Sequence, residues 1–186
     1  MGARLRTLGA ALAAILLAGC GTPTTGTDGF VTGDGSITVI APDEREPAPV
    51  ISGETLDGGQ WSSESVDGLV IVYNVWGSWC PPCRAEAPAL QAVADATADR
   101  AVLIGINTRD LDRAAPQAFV RSNELTFPSI FDPDGSLLLA FAGQLPPSAI
   151  PSTLLVDPQG RIAARVIGAT TEATLLGLID DLAAGG

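Results

Sequence analysis

Cys80 and Cys83 have the residue type and the spacing that dithiol chemistry requires, and they lie in the segment Trp79-Cys80-Pro81-Pro82-Cys83. A thiolate attacks a disulfide of another molecule, and a second thiol three residues away can resolve the mixed disulfide that results. Cys80 begins a predicted helix, where unpaired N–H groups and the helix dipole favour a thiolate. We therefore expect a redox-active pair in which Cys80 attacks and Cys83 resolves.

Two other uses of the pair have less support. A bridge that only stabilised the fold would contribute about 2 kcal/mol, because it closes a very short loop. A zinc site would need two carboxylates to complete a tetrahedron, since the chain has no His and no second C-x-x-C pair. Pro81 and Pro82 fit the redox interpretation, because Pro is tolerated in the first turn of a helix and stiffens the loop between the sulfurs. We expect neither a metal nor a cofactor.

The segments around the pair have the pattern of a βαβ unit. Apolar runs predict strands over residues 69–75 and 101–106, and the sequence between them predicts a helix from about residue 80 to 98. The two strands predicted farther along flank Asp157-Pro158-Gln159-Gly160, whose Pro and Gly suit a tight turn, so we expect a hairpin. The remaining predicted elements are helices over 114–122, 136–141 and 171–184, a strand near 129–131, and the hairpin strands over 153–156 and 161–167.

Residues 1–19 have the layout of a secretory signal peptide. Arg4 and Arg6 precede an apolar run over residues 8–18, which is shorter than the roughly 20 apolar residues that span a bilayer. The segment Leu17-Ala18-Gly19-Cys20 resembles a bacterial lipobox, in which the Cys receives lipid and becomes the mature N-terminus. A Cys that merely lies in an apolar stretch is the alternative. We expect Cys20 to anchor a lipoprotein on the outer face of the cytoplasmic membrane.

The rest of the chain divides into three parts. Residues 20–29 combine the anchor Cys with a spacer rich in Thr, Gly and Asp. Residues 30–48 form an N-terminal extension, in which strands over 30–31 and 37–40 are expected to pair as a β-hairpin. Residues 49–186 are long enough for one domain with its own core.

Composition excludes several classes of partner and enzyme. Ten Arg and no Lys stand against 21 acidic residues, and the formal net charge of −11 would repel nucleic acid and anionic lipid headgroups. The lack of His removes the usual general base of Ser and Cys hydrolases and the commonest zinc ligand. We expect no nucleic-acid partner, and we expect lipid rather than charge to hold the protein at a membrane.

Two segments carry a resemblance to a known family. They are residues 72–88, which contain the Cys pair, and Ile150-Pro151-Ser152-Thr153-Leu154-Leu155-Val156-Asp157. Residues 49–184 resemble the thioredoxin superfamily, and more narrowly its TlpA/ResA/DsbE group of extracytoplasmic bacterial proteins. The run Thr126-Phe127-Pro128-Ser129-Ile130-Phe131-Asp132 is similar to the ResA-type branch associated with cytochrome c maturation. The implied fold is α/β and thioredoxin-like: a central mixed β-sheet flanked by helices, here with the N-terminal β-hairpin as an extension.

The resemblance implies roles for residues outside the pair. The Ile150–Pro151 bond would be cis and face the cysteines, where the backbone accepts hydrogen bonds from an extended substrate. Without the resemblance, Pro151 would simply begin a strand. Glu86 matches a position at which ResA-like proteins carry a carboxylate that helps to control thiol protonation, and a solvated Glu near a helix start is an equal alternative. Asn74 stands where thioredoxin has a buried Asp, and an amide cannot titrate.

Three residues are candidates for contact with the substrate. Trp76 and Trp79 could cover the pair and receive the apolar surface of a partner, and Ile150 is the third candidate. For Trp76, a place in the core is the alternative.

Three functions remain open from the sequence. The resemblance implies a membrane-tethered thiol-disulfide oxidoreductase that reduces the haem-attachment cysteines of apocytochrome c, with electrons from a membrane thiol carrier. The same fold could instead form disulfides in secreted proteins, since the direction follows the reduction potential. In both cases the substrates are protein thiols or disulfides. A non-catalytic lipoprotein binding module is the third function, and it would have no use for an intact Cys pair.

Overall fold

The structure is a computed structural model that describes residues 28–30 and 36–185. The predicted signal peptide, the anchor Cys20 and the spacer up to residue 27 lie outside the described residues. Two 3-10 helices, Ser63–Ser65 and Leu137–Phe141, accompany the regular elements. In chain order the regular elements are β1 Asp28–Phe30, β2 Ser36–Val39, β3 Ser52–Glu54, β4 Gln60–Ser62, β5 Val70–Trp76, α1 Pro81–Thr97, β6 Ala101–Thr108, α2 Ala114–Ser122, β7 Ser129–Asp132, β8 Ser152–Val156, β9 Ile162–Ile167 and α3 Glu172–Ala183.

Seven strands form the main sheet in the order β1-β2-β9-β8-β5-β6-β7. Strands β5, β6 and β7 pair in parallel, and the other neighbours pair antiparallel, so the sheet is mixed. Parallel neighbours need a crossover, and α1 and α2 supply the two crossovers. The predicted central mixed sheet with flanking helices is confirmed.

Strand β5 lies at the centre of the core. All seven of its residues are buried, as expected for a strand covered on both faces. Its side chains alternate between the faces: Val70 and Val72 pack with α1 and α3, while Ile71 and Tyr73 pack against the opposite cluster, which includes Phe141 of the second 3-10 helix. Because both faces of β5 are covered, its carboxyl end has a fixed position. The segment that follows, which contains the Cys pair, therefore begins at a fixed point on the edge of the sheet.

The N-terminal hairpin belongs to the main sheet. Strand β1 pairs antiparallel with β2, and β2 pairs antiparallel with β9. The predicted hairpin is present, although its first strand begins at Asp28, two residues earlier than expected. Within residues 30–48, therefore, β2 extends the sheet that carries the site.

The structure adds one hairpin that the sequence pattern did not predict. Strands β3 and β4 form a separate two-stranded sheet of short, largely polar segments, which lack the apolar alternation that signals a strand. It packs closely on the main sheet, because a Cβ at Gly53 would lie 2.6 Å from Ile130 Cγ2. The predicted helix over 136–141 is a 3-10 helix, and the other predicted helices and strands are confirmed to within a few residues. Among the described residues, no helix is both long and apolar enough to cross a membrane.

Candidate active site around the Cys80–Cys83 pair

Cys80 and Cys83 form a disulfide at the beginning of α1. Their sulfurs are 2.08 Å apart and their Cα atoms 5.3 Å apart. Cys80 is the N-cap of the helix, and the backbone N–H of Cys83 donates to Cys80 Sγ at 3.2 Å. A sulfur in this position lies at the positive end of the helix dipole, which stabilises a thiolate when the pair is reduced. The predicted placement of Cys80 at a helix N-terminus is confirmed.

Both sulfurs lie in a closely packed environment. Cys80 is 1% exposed and Cys83 is 2% exposed, whereas Pro81 and Pro82 between them are exposed. Exposure therefore does not distinguish the two cysteines, and the helix N-cap is the feature that does. Behind Cys83 lies a narrow apolar pocket whose lining includes Trp76, Ala87, Leu90, Phe119, Leu125 and Phe127.

The loop before β8 approaches Cys80 from the other side. The Ile150–Pro151 peptide bond is cis, as the resemblance implied. The carbonyl oxygen of Ile150 lies 3.9 Å from Cys80 Sγ, and Ser152 immediately after Pro151 begins β8. Ile150 is partly buried and Pro151 is buried. The structure thus brings Ile150 and Cys80 together, and the role of Pro151 toward a substrate stays a prediction.

Glu86 is a buried carboxyl one turn along α1 from Cys83. It is 3% exposed, which rules out the solvated alternative. Asn74 Nδ2 donates to Glu86 Oε1 at 2.9 Å, and the backbone N–H of Thr170 donates to Oε2 at 3.0 Å. Asn74 Nδ2 also lies 3.2 Å from Thr153 Oγ1, so the carboxyl connects α1 with β5, β8 and the segment before α3.

Burial raises the pKa of Glu86 to about 7, against the lowering effect of the hydrogen bonds from Asn74 and Thr170. A carboxyl with this pKa exchanges a proton near neutral pH, which is where general acids and bases are most effective. Asn74, whose amide does not titrate, is a hydrogen-bond donor to this group. The side chain that titrates in this part of the interior is therefore Glu86.

The two Trp residues that were candidates for substrate contact, Trp76 and Trp79, occupy different environments. Trp76 is 3% exposed, stacks on Phe119 with ring centroids 4.7 Å apart, and donates from Nε1 to Ser129 Oγ at 3.3 Å. The ring of Trp76 is enclosed by the core, which favours the core alternative over contact with a partner. Gly105 makes room for this arrangement: a Cβ there would overlap Ser129 Oγ and lie 2.7 Å from Trp76 Nε1. Trp79 is 44% exposed and remains a candidate for substrate contact.

Asp110 is a buried acid that the sequence pattern did not indicate, beside the loop over residues 77–80, which we call the dithiol loop. Asp110 follows β6 and accepts hydrogen bonds from the backbone N–H and the hydroxyl of Ser78, two residues before Cys80. A signal for it exists, since β5 and β6 are parallel neighbours and residues after their carboxyl ends meet at one edge of the sheet. Within the described part of the chain, no group of His, Cys, Asp and Glu residues has the arrangement of a metal site.

Comparisons with known proteins agree with this geometry. Residues 45–165 match the model of the AhpC/TSA family. The chain belongs to the AhpC/TSA family. Among similar proteins, the thiol-disulfide oxidoreductase ResA of Bacillus subtilis is 27% identical over 133 residues, 71% of this chain and 72% of that protein. The thiol:disulfide interchange protein DsbE of Pseudomonas aeruginosa is 40% identical over 104 residues, 54% of this chain and 52% of that protein.

A solved structure extends the comparison to the fold. The secreted thiol-disulfide isomerase from Corynebacterium glutamicum aligns with a TM-score of 0.76 and 30% identity, covering 88% of this chain and 95% of that one. With the Cys80–Cys83 disulfide, these similarities show that this AhpC/TSA family member is a thiol-disulfide oxidoreductase of the ResA and DsbE type. Its substrates are the thiols or disulfides of other proteins.

Proposed function

We propose that the protein reduces disulfides of other proteins outside the cytoplasmic membrane, and that the haem-attachment cysteines of apocytochrome c are its substrate. The dithiol chemistry in this proposal rests on the position of Cys80 at the N-cap of α1, where the N–H of Cys83 is directed at its sulfur. The choice of apocytochrome c as the substrate is supported by the ResA-like run over residues 126–132 and by the similarity to ResA.

The reaction is a two-step exchange that passes two electrons. In the reduced protein, the Cys80 thiolate attacks one sulfur of the substrate disulfide, and the other substrate sulfur leaves as a thiolate that takes up a proton. Cys83 then loses its proton and attacks Cys80 Sγ in the mixed disulfide. This step releases the second substrate thiol and leaves the Cys80–Cys83 disulfide. A membrane thiol carrier returns the pair to the dithiol.

Glu86 is suited to the second step. It lies one turn from Cys83 on the same face of α1, and its pKa of about 7 allows it to take a proton near neutral pH. Asn74 and Thr170 hold both of its oxygens, so the carboxyl is fixed in position. We assign it the control of proton transfer at the buried thiol.

The substrate approaches on the side of the Ile150 carbonyl. That oxygen is 3.9 Å from Cys80 Sγ, so an extended segment hydrogen-bonded to the Ile150–Pro151 backbone would present its sulfur to Cys80. The half-exposed ring of Trp79 supplies apolar surface beside it. This arrangement would recognise the backbone around a cysteine more than any particular neighbouring side chain.

A lipid on Cys20 would hold the domain at the outer face of the cytoplasmic membrane. A signal peptide over residues 1–19 and a lipobox ending at Cys20 support export and anchoring. Residues 28 and 29 of the predicted spacer belong to β1, so the spacer that would let the domain reach its partners is the part between Cys20 and β1. Residues 30–48 and 49–186 follow as the extension and the catalytic domain. The acidic surface gives no attraction to anionic headgroups, so the lipid would be the anchor.

A second function deserves a test because of the structural similarity. The Corynebacterium glutamicum protein is named as a secreted thiol-disulfide isomerase, and it aligns with 88% of this chain. Because that protein is secreted, the similarity supports substrates among secreted proteins. An isomerase rearranges disulfides without net oxidation, whereas forming them would use the same two cysteines in the reverse direction, from the oxidised pair. The identity of the physiological partner distinguishes the two functions.

Trapping the partner in cells tests this proposal. A Cys83→Ala variant cannot resolve the mixed disulfide, so it should accumulate bound to its substrate, which mass spectrometry can identify after acid quenching and thiol alkylation. We expect apocytochrome c, and we expect the wild-type pair to be mainly reduced in the same cells. The double variant Cys80→Ala, Cys83→Ala is the control and should trap nothing. Assorted secreted proteins in the trap, with the wild-type pair almost fully oxidised, would contradict reduction and support the oxidase.

A further inference from the structure

The last two residues of β6 and the two residues that follow them contact both loops of the active site, the dithiol loop that leads into Cys80 and the loop over residues 147–151, called the Ile150 loop. None of these four residues forms a hydrogen bond with either sulfur. We call this segment, residues 107–110, the bracket. Its Asp110 is 6% exposed, and its carboxylate accepts from Ser78 N at 2.9 Å, from Ser78 Oγ at 2.5 Å and from Asn107 Nδ2 at 2.7 Å. Burying a carboxylate is unfavourable unless such donors satisfy it, so this set of contacts strongly favours one geometry.

These contacts fix the loop that leads into Cys80. The N–H of Ser78 is held by Asp110, and its carbonyl oxygen accepts from Arg84 Nε at 3.0 Å and from Arg84 Nη2 at 2.7 Å. Trp79 Nε1 donates to the carbonyl of Thr108, another bracket residue, at 3.4 Å. The backbone immediately before the attacking cysteine is therefore tied on one side to α1 and on the other to the bracket.

The neighbouring bracket residue reaches the opposite loop. Arg109 Nη2 donates to the carbonyl oxygen of Pro147 at 2.9 Å, and Pro147 lies three residues before Ile150. Arg109 has φ of 60°, in the left-handed region that non-glycine residues seldom occupy because it is strained. The strained residue therefore directs its own side chain to the Ile150 loop, while the next residue, Asp110, contacts the dithiol loop.

We propose that Asp110 and Arg109 are positioning residues that hold the dithiol loop and the Ile150 loop at the separation that a polypeptide substrate requires. A segment bound along the Ile150 backbone meets Cys80 Sγ only if the two loops keep their spacing, and misplacement by about 1 Å can cost about 100-fold in rate. A small disulfide needs access to the sulfur alone. The inference rests on the dithiol chemistry proposed above, and it adds two residues that align a polypeptide substrate with Cys80.

The experiment compares two disulfides with the reduced full-length protein and its variants. Insulin is the polypeptide probe, and bis(hydroxyethyl) disulfide is a small neutral probe. We expect Asp110→Ala and Arg109→Ala each to slow insulin reduction by about 10-fold or more while changing the rate with the small disulfide less than about twofold. Asp110→Asn should restore most of the insulin rate, because its amide oxygen can accept from Ser78 N and its NH₂ can donate to the Ser78 hydroxyl.

Asp112→Asn is the matched control, since it makes the same charge change on an exposed side chain two residues away. Arg109 is exposed, so Arg109→Ala remains informative if Asp110→Ala fails to fold. Equal losses with insulin and the small disulfide, or unchanged insulin rates in Arg109→Ala, would overturn the positioning role. A wild-type protein that reduces neither probe would instead contradict the dithiol proposal itself.

Discussion

Replacing Cys80 with Ser is expected to abolish the reduction of protein disulfides, with a loss of at least about 1,000-fold in the rate of insulin reduction. Serine at the N-cap of α1 can still accept the N–H of Cys83, so the helix start should be retained. Its hydroxyl cannot form a disulfide with the substrate. The loss would therefore report the missing sulfur rather than a damaged helix, and circular dichroism should show an unchanged fold.

Two companion variants sharpen this prediction. Cys83→Ser keeps the attacking thiol, so it should react once with insulin and then stall as a mixed disulfide visible on a non-reducing gel. Cys20→Ser removes the third cysteine of the chain and, in a detergent-free assay of the purified protein, should leave the insulin rate unchanged. Substantial turnover by Cys80→Ser, or a loss in Cys20→Ser as large as in Cys80→Ser, would contradict the assignment of the pair.

Glu86→Gln is expected to remove a pH dependence from the stability of the oxidised protein. Burial raises the pKa of Glu86 from 4.5 to about 7. Because the folded pKa lies above the unfolded value, the favourable contribution of the protonated carboxyl is complete below pH 4.5 and is lost as the pH rises through about 7. The loss amounts to about 3 kcal/mol in the free energy of unfolding by pH 8.

The Gln variant should lack this loss, because an amide does not titrate. It can keep its partners: Gln Oε1 accepts from Thr170 N, and Asn74 can turn its amide so that its oxygen accepts from the Gln NH₂. The measurement is urea unfolding of wild type and variant from pH 4 to pH 8, with the exposed Glu44→Gln as the control. The difference between wild type and Glu86→Gln should grow between pH 4.5 and 8. Parallel pH curves for these two proteins would contradict a buried, titrating Glu86.

The sequence predicted the fold well wherever periodicity and turn chemistry were strong. The apolar run of β5, the helix after Cys80 and the hairpin at Asp157 each follow from local patterns, and each lies within a few residues of its predicted place. Strands β3 and β4 were not predicted because each has only three residues. Their largely polar side chains show no apolar alternation, and the strands are evident only from their backbone pairing. The segment over 136–141 was predicted as a helix, but the structure has a 3-10 helix there, which local propensity does not separate from an α-helix.

The site was predictable only as far as local sequence reaches. The position of the Cys pair at a helix start follows from a strand, two thiols and two Pro residues in succession. The burial and raised pKa of Glu86 do not follow from local sequence. Its hydrogen-bond partners are Asn74 and the N–H of Thr170, and Thr170 lies 84 residues away. The choice between substrate contact and core for Trp76 also depends on distant residues, since the ring of Phe119 that covers it comes from α2. Asp110 went unnoticed because its partner Ser78 lies 32 residues away.

The cysteine that carries the substrate adduct is the most direct test of the dithiol mechanism. Cys83→Ala and Cys80→Ala can each be treated, in the reduced state, with a model peptide that bears one activated disulfide, and the adducts mapped by mass spectrometry of non-reduced digests. The N-cap position of Cys80 predicts rapid, stoichiometric labelling of Cys80 in the first variant and slow labelling of Cys83 in the second. Equal or faster labelling of Cys83 would contradict the assignment of Cys80 as the attacking thiol.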